Sequence, residues 1–368
     1  MPIILALLLV LALAACSEGP EDPEPAGALE LSEATDFDHA FWSIEDVWEL
    51  ADGTLLVLDR GEGALFSLDP ESGEVAEVLQ DGEGPQEVRS FGNVIRLAGD
   101  TLAAVMPGNA AYQLISGGKI VGQRSVPLDI LGPPQRDTLG HWLVTPSAGD
   151  AAAGGGGSVR HLVRFMEGEE GTPPDTVRSR EVEASSPFTA LRRGEDPPPV
   201  RDFDARMHER LAPDGWVAIL HPDPYRVEWL DPDGQWHRGG QLSFEAVSVD
   251  AALRRDILER LRGLPREGEQ MDHLVENSDG VTELPPYLRE ANDPGGVLFA
   301  PDGQLLVLRT QLGVSDSTRY DVLARNGTRS GQIRLGPGER IIASSPDALY
   351  VVVRDEVDLQ YLRRIPVN

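Results

Sequence analysis

The side chains with the clearest capacity for chemistry follow short apolar runs, where a strand would end and a loop begin. They are carboxylates, arginines, one amide and one histidine: Asp59, Arg60, Asn109, His221, Asp223, Arg309, Arg354, Asp355 and Glu356. Calcium takes oxygen ligands in proteins, and the candidates to supply them are Asp59, Asn109, Asp223 and Glu356. The neighbouring arginines would neutralise such a site, so the set also fits a polar binding surface without metal.

No catalytic motif accompanies these residues. The seven histidines show no metal-ligand spacing such as His-x-x-x-His, and no Gly-x-Ser-x-Gly elbow marks a nucleophile. The glycine run 154–157 lacks the Lys-Ser/Thr ending of a phosphate-binding loop and predicts a flexible insertion. The sequence therefore favours binding over catalysis.

The elements that must position these residues form a repeat. The reference unit starts with Asp52-Gly53, a dipeptide suited to tight hairpins. It continues with an apolar run, a polar loop, a second run, a turn that contains Pro and Gly, and a half-exposed strand up to Leu79. Weaker copies recur, the clearest of them from Ala212-Pro213-Asp214-Gly215. Six such units predict an all-β protein, a six-bladed β-propeller of four-stranded antiparallel blades.

Two consequences follow from this architecture. In a propeller, the loop after the second strand of each blade opens around the channel mouth, so we expect the nine polar residues to converge there. The sixth unit is one strand short, and an open edge invites aggregation. We expect an N-terminal strand near Ala28–Ser32 to fill that place and close the ring.

One segment departs from the repeat. Asp250 is a suitable N-cap, and Leu253, Ile257 and Leu261 form one apolar stripe at helical spacing. The segment predicts a short amphipathic helix within an insertion spanning about 249–290. Its arginines could meet an acidic partner or lipid headgroups, but pairing with the protein's own carboxylates is favoured.

The motif Ala/Ser-Pro-Asp-Gly before an apolar strand resembles the NHL-like and TolB-like group of six-bladed propellers. A closer resemblance is to bacterial lipoproteins built as six-bladed propellers, through the segments 82–87 (GEGPQE), 285–288 (PPYL) and 354–356 (RDE). The resemblance implies the propeller fold over most of the chain and leaves function open. Some propellers of this kind are calcium-dependent hydrolases or lactonases.

Charge excludes one class of partner. The 368 residues include 61 acidic and 32 basic side chains, a formal net charge of −29. Such a surface repels nucleic acid. The repeated sheets also override the two or three domains that length alone suggests, so residues 28–368 are assigned to one propeller, which we expect to be monomeric.

The N-terminal region predicts export. Cys16, the only cysteine, follows a short apolar run typical of a signal peptide (residues 1–15) and too short to span a bilayer. Leu13-Ala14-Ala15-Cys16 resembles the lipobox of bacterial lipoproteins, which implies lipidation of Cys16. Ser17 after the cysteine implies the outer membrane in that group. The acidic, proline-rich remainder of 16–27 predicts an extended tether.

Two functions remain open at this stage. The first is a lipid-anchored envelope protein, facing the periplasm or the cell surface, whose propeller binds a protein, peptide or glycan without a cofactor. The second is a calcium-dependent hydrolase or lactonase with its site at the channel mouth. The missing catalytic set and the arginines near the calcium ligands favour the first.

Overall fold

The structure is a computed structural model. It describes residues 31–84, 87–88, 91, 94–106, 111–125, 134–145, 158–166, 175–182, 207–262, 283–287, 296–310 and 317–367. The predicted signal peptide, Cys16, the tether and Asn109 lie outside these residues, so the expectations for them stay predictions.

Strands dominate the described residues. In chain order they are β1 (Thr35–Phe41), β2 (Ile44–Glu49), β3 (Leu55–Asp59), β4 (Ala64–Leu68), β5 (Val75–Gln80), β6 (Val94–Ala98), β7 (Thr101–Met106), β8 (Ala111–Ser116), β9 (Lys119–Ser125), β10 (Gln135–Arg136), β11 (His141–Val144), β12 (Ser158–Met166), β13 (Asp175–Val182), β14 (His208–Leu211), β15 (Val217–Pro222), β16 (Tyr225–Leu230), β17 (Trp236–Arg238), β18 (Val247–Ser248), β19 (Glu283–Leu284), β20 (Val297–Phe299), β21 (Leu305–Leu308), β22 (Ser317–Leu323), β23 (Arg329–Pro337), β24 (Glu339–Ser344), β25 (Ala348–Arg354) and β26 (Gln360–Pro366). The helix is α1 (Ala251–Arg262).

Six four-stranded antiparallel sheets form the blades. Blades 1 to 5 are β2–β5, β6–β9, β10–β13, β14–β17 and β20–β23, and blade 6 is β24–β26 with β1 as its outer strand. The innermost strands pack side by side: β6 on β10, β10 on β14, β14 on β20, β20 on β24 and β24 on β2. The predicted all-β, six-bladed propeller is therefore confirmed.

Local sequence explains the blades. In blade 1 the second strand, LLVLD, is buried along its whole length, whereas the outer strand β5 has three exposed residues, two partly buried ones and one buried one. The Asp52-Gly53 turn holds Gly53 at a φ of 87°, a conformation that side chains with a Cβ rarely adopt. The apolar second strands therefore lie between neighbouring blades, and the outer strands meet solvent.

The ring closes through an N-terminal strand, but not through the predicted segment. The closing strand is Thr35–Phe41, which pairs with β26, whereas Leu31 makes only one isolated bridge to Val367 and residues 28–30 lie outside the described residues. Phe37 and Phe41 explain the choice, because both are buried in the core cluster shared by blades 6 and 1. The expectation of a strand at Ala28–Ser32 was therefore wrong in position.

Successive strands of each blade run in opposite directions, so the loops between them lie on two opposite faces of the propeller. We call the face that carries the loops after each second strand, and the connections between blades, the upper face. The opposite, lower face carries the Asp-Gly turns and the pairing of Leu31 with Val367. The connection from β17 to β20 includes α1 and the β18–β19 pair, so this insertion belongs to the upper face.

The helix begins where the sequence predicted. The Asp250 carboxylate accepts a hydrogen bond from the backbone N–H of Leu253 at 2.8 Å, and its carbonyl accepts one from Arg254 at 3.0 Å. Asp250 is therefore the N-cap. None of the helices within the described ranges has the length and apolar character needed to cross a bilayer.

Candidate functional site

Asp59 binds two loops of the upper face together. Its carboxylate is buried and accepts backbone N–H groups from Trp42 at 2.7 Å, Ser43 at 3.0 Å, Gly61 at 2.8 Å and Glu62 at 3.2 Å. The first two belong to the β1–β2 connection and the others to the loop after β3. With four donors on two oxygens, Asp59 stabilises loops and has little capacity left for a calcium ion.

These bonds fix the position of Trp42. Trp42 is 64% exposed as a whole residue although its backbone N–H donates a hydrogen bond to Asp59. Gly61 allows the neighbouring loop to approach it, because a Cβ at position 61 would lie 2.5 Å from the Cβ of Trp42. The protein thus holds a large apolar side chain in solvent on a rigid support.

Val357 lies at the same end of the neighbouring strand. Phe41, just before Trp42, pairs with Gln360, which directly follows the loop that carries Val357. Val357 is 72% exposed, and Asp355 fixes the loop by accepting the N–H groups of Val357 and Leu359, both at 2.9 Å. Two exposed apolar side chains therefore share one part of the upper face.

Two predicted arginines border this area. Arg60 follows Asp59 directly, has a half-exposed side chain and contacts Glu45 at 3.1 Å. Arg354 pairs with Gln360 across β25 and β26, and its guanidinium lies 3.6 Å from Asp358. We call Trp42, Arg60, Arg354 and Val357 the upper-face patch.

Two acidic residues, Glu45 and Asp46, lie on β2, the innermost strand of blade 1. Burial is the main cause that raises the pKa of Asp46 to about 8. The neighbouring Glu45 carboxylate contributes to this rise, whereas the hydrogen bond from the N–H of Val47 opposes it. Burial also raises the pKa of Glu45, and Arg60 opposes this. Asp46 is therefore largely protonated at neutral pH, close to the upper-face patch.

Arg309 has a structural role between blades 4 and 5. Its guanidinium binds the fully buried Asp321 carboxylate at 2.8 Å and lies over the rings of Tyr225 and Phe244, with its Cζ 5.5 Å from both centroids. The Tyr225 hydroxyl donates to the same carboxylate at 2.9 Å. Arg309 is thus largely committed to the fold.

His221 belongs to another cluster, at the junction of blades 3 and 4. Its Nε2 lies 3.0 Å from the Glu228 carboxylate, and burial lowers the pKa of the imidazole against the effect of Glu228. Asp223, two residues further on, is exposed in the loop to β16. Glu356 is exposed too, in the loop of Val357.

The eight predicted residues within the described ranges, all except Asn109, thus divide among separate networks. Asp59, Arg60, Arg354, Asp355 and Glu356 lie around the junction of blades 6 and 1, His221 and Asp223 belong to blade 4, and Arg309 belongs to blade 5. Over the part of the chain that the structure describes, no three His, Cys, Asp or Glu side chains come together as a metal site. Trp42 and Val357 were missed, because sequence reasoning looked only for polar loop residues.

Comparisons with known proteins agree on the fold. No protein-family model matches this chain, and no curated protein matches it in sequence. A member of the DUF4221 family from Bacteroides vulgatus aligns over 93% of this chain and 98% of its own, with a TM-score of 0.51 and 7% identity. A Bacteroides fragilis protein described as exported aligns over 95% and 98%, with a TM-score of 0.49 and 12% identity. At such identities the first likeness supports the propeller fold alone, so the resemblance to lipoproteins stays a prediction.

Proposed function

We propose that this protein is a binding protein of the bacterial cell envelope, anchored by lipid on Cys16, that holds a protein or peptide on its upper-face patch. The observation that carries the proposal is the exposed Trp42 on a support built by buried Asp59. Tryptophan and arginine are enriched among residues that dominate binding energy at interfaces. Because the backbone of Trp42 is already held in place, little backbone entropy is lost when a partner binds there.

The position of the N-terminus fits an anchored binding protein. Leu31 bridges to Val367 on the lower face, and β1 then crosses the whole blade before it reaches Trp42. Seven strand residues span about 20 Å. A tether attached at the lower face therefore directs the upper-face patch away from the membrane, towards partners in the envelope.

Site-specific crosslinking in the native host tests the binding role. A photo-crosslinking phenylalanine derivative replaces Trp42, and in a matched strain it replaces Trp236, which is 40% exposed and follows a turn of the lower face. We expect a discrete crosslinked species from position 42 and none from position 236. Identical species from both positions, or none from either, would contradict the proposal.

A separate measurement tests the anchor. Metabolic labelling with a radioactive fatty acid should label the full chain, and Cys16→Ala should abolish both the label and the recovery of the protein with membranes. Loss of labelling without loss of the crosslink at position 42 would separate the anchor from the binding role. A wild-type chain that takes up no label would contradict lipidation.

A melting experiment with and without calcium distinguishes the binding protein from the alternative, a calcium-dependent hydrolase. The strands of the blades run from β1 to β26, so a chain that begins at Ala28 retains every strand of the six blades. A tightly bound ligand at a hundredfold over its dissociation constant stabilises a fold by about 2.7 kcal/mol. Because Asp59 is saturated by N–H groups, we expect the same melting temperature in calcium and in chelator. A calcium-dependent rise that Asp223→Ala abolishes would favour the hydrolase instead.

A further inference from the structure

Three arginines surround one carboxylate between blades 3 and 4. Glu228 on β16 is buried, and its oxygens lie 3.8 Å from Nη1 of Arg178, 3.4 Å from Nη2 of Arg226 and 3.6 Å from Nε of Arg238. Charge-assisted hydrogen bonds of this kind are usually about 2.7–2.9 Å long. None of the three contacts is that short, so Glu228 satisfies the guanidinium groups only in part.

Strand register places these groups on one surface. Arg226 and Glu228 are two residues apart on β16 and so point to the same face. His221 pairs with Arg226 across β15 and β16, and Arg238 pairs with Glu228 across β16 and β17. The third arginine, Arg178, comes from β13, the outer strand of blade 3. The cluster therefore lies in the outer part of the cleft between the two blades.

The cluster has an excess of positive charge within an acidic protein. Among the residues that the structure describes, three guanidinium groups face one carboxylate, while the chain as a whole has a formal net charge of −29. His221 adds a ring nitrogen, 3.4 Å from Nη1 of Arg178. The side chains of Arg178 and Arg226 are about one-third exposed, and that of Arg238 is 77% exposed. The excess charge is thus accessible from solvent.

We propose that Arg178, Arg226 and Arg238 form a binding site for a phosphate group, a dianion that would balance the two unpaired positive charges. Arginine suits this ligand because its planar fork donates two parallel hydrogen bonds to phosphate oxygens. Glu228 lies between the three guanidinium groups and competes with phosphate for them, and His221 borders Arg178 and Glu228. The phosphate is either free in solution or part of a lipid headgroup. This site is independent of the upper-face patch.

Calorimetric titration of the chain that begins at Ala28 with inorganic phosphate, at pH 7 and constant ionic strength, tests the site. We expect saturable binding with one phosphate per chain. Arg238→Gln should weaken it at least tenfold without changing the melting temperature in the absence of phosphate, because that side chain is mostly exposed. Glu228→Gln should tighten binding, because it removes a negative charge that competes with phosphate for the three arginines.

The matched control is Arg325→Gln. Arg325 is as exposed as Arg178 but pairs with a single carboxylate, that of Asp214, at 2.6 Å. Its replacement should leave phosphate binding unchanged. A purely structural ion cluster would behave differently: Glu228→Gln would lower the melting temperature and phosphate would have no effect on any variant.

Vesicles identify the source of the phosphate. Cosedimentation with phosphatidylglycerol vesicles, but not with phosphatidylcholine vesicles, that is lost in Arg238→Gln would assign the site to a lipid headgroup. Calorimetric binding without cosedimentation would assign it to a free phosphate compound. The proposal is overturned if neither arm shows binding, or if Arg238→Gln and Arg325→Gln bind equally well.

Discussion

The Asp59 carboxylate accepts a hydrogen bond from the backbone N–H of Trp42 at 2.7 Å. This bond links a buried acid of blade 1 to a residue whose large aromatic side chain is exposed on the upper face. The same carboxylate holds the next loop through Gly61. One buried group therefore stabilises the fold and positions the proposed binding surface, and the two effects can be measured separately.

Asp59→Ala should destabilise the protein by about 3 kcal/mol, because it leaves several backbone N–H groups without their acceptor in a buried place. Urea unfolding of the chain that begins at Ala28 measures the change. Asp52→Ala is the control, since Asp52 accepts one N–H, from Thr54 at 2.9 Å, in an exposed turn, and its effect should be much smaller. Equal effects of the two substitutions would refute the loop-fixing role of Asp59.

Asp321→Ala should cost about 3–5 kcal/mol, the usual effect of removing one partner of a buried ion pair. It would leave Arg309 and Arg329, 2.8 and 3.2 Å from the carboxylate, without their counter-ion. Arg309→Ala should cost roughly half as much, because Asp321 keeps Arg329 and the 2.9 Å bond from Gln332.

Denaturant unfolding of both variants gives the comparison, and Arg325→Ala is the surface reference. Arg325 pairs with Asp214 on the lower face, and partly exposed pairs contribute at most about 1 kcal/mol. If Arg309→Ala proved as mild as the surface reference, Arg309 would be free for ligand binding, as the sequence had suggested.

The fold was predictable because its signals are local. Asp52-Gly53 and its copies mark hairpins within a few residues of the strands they join, and counting these units gave six blades. The closing strand was placed too early because residues 28–32 alternate apolar and polar side chains more closely than residues 35–41 do. Burial of Phe37 and Phe41 against strands more than three hundred residues away decides between them.

The site was less predictable for the same reason. Sequence spacing located Asp59 and Arg309 at strand ends, but it did not predict which groups of the protein they contact. Asp59 binds N–H groups across the boundary between blades 6 and 1, and Arg309 meets Tyr225 of the preceding blade. A charged loop residue looks the same in sequence whether it faces a ligand or a buried counter-ion.

Stability should fall as pH rises from about 5 to 8, because of Asp46. Its folded pKa, about 8, lies above its ordinary value, so the folded state keeps a proton that the unfolded state has lost. Stabilisation is complete below the unfolded pKa and is lost as pH rises towards the folded one, by up to about 1.4 kcal/mol per pH unit. Glu45, whose pKa burial also raises, acts in the same direction.

Urea unfolding at four pH values between 5 and 8 tests this, and Asp46→Asn should flatten the slope. The control is Asp52→Asn: hydrogen bonds from Thr54 lower the pKa of the exposed Asp52, so its titration falls below this pH range. A slope that Asp46→Asn does not alter would place the origin of the pH dependence elsewhere.

The pairing of β1 with β26 should decide whether the ring stays closed. A chain that begins at Ser43 lacks β1 and leaves the edge of β26 open, which invites association between chains. It also loses the buried Phe37 and Phe41 and the ion pair between Asp36 and Arg363. We expect it to elute as large aggregates in size-exclusion chromatography, whereas the chain that begins at Ala28 elutes as a discrete species. The control is the chain that begins at Ala28 with Phe37→Ala and Phe41→Ala, which keeps the backbone pairing of β1. This variant should be less stable but should not aggregate. If it aggregated as much as the chain that begins at Ser43, the cause of aggregation would be the loss of apolar burial and not the open edge.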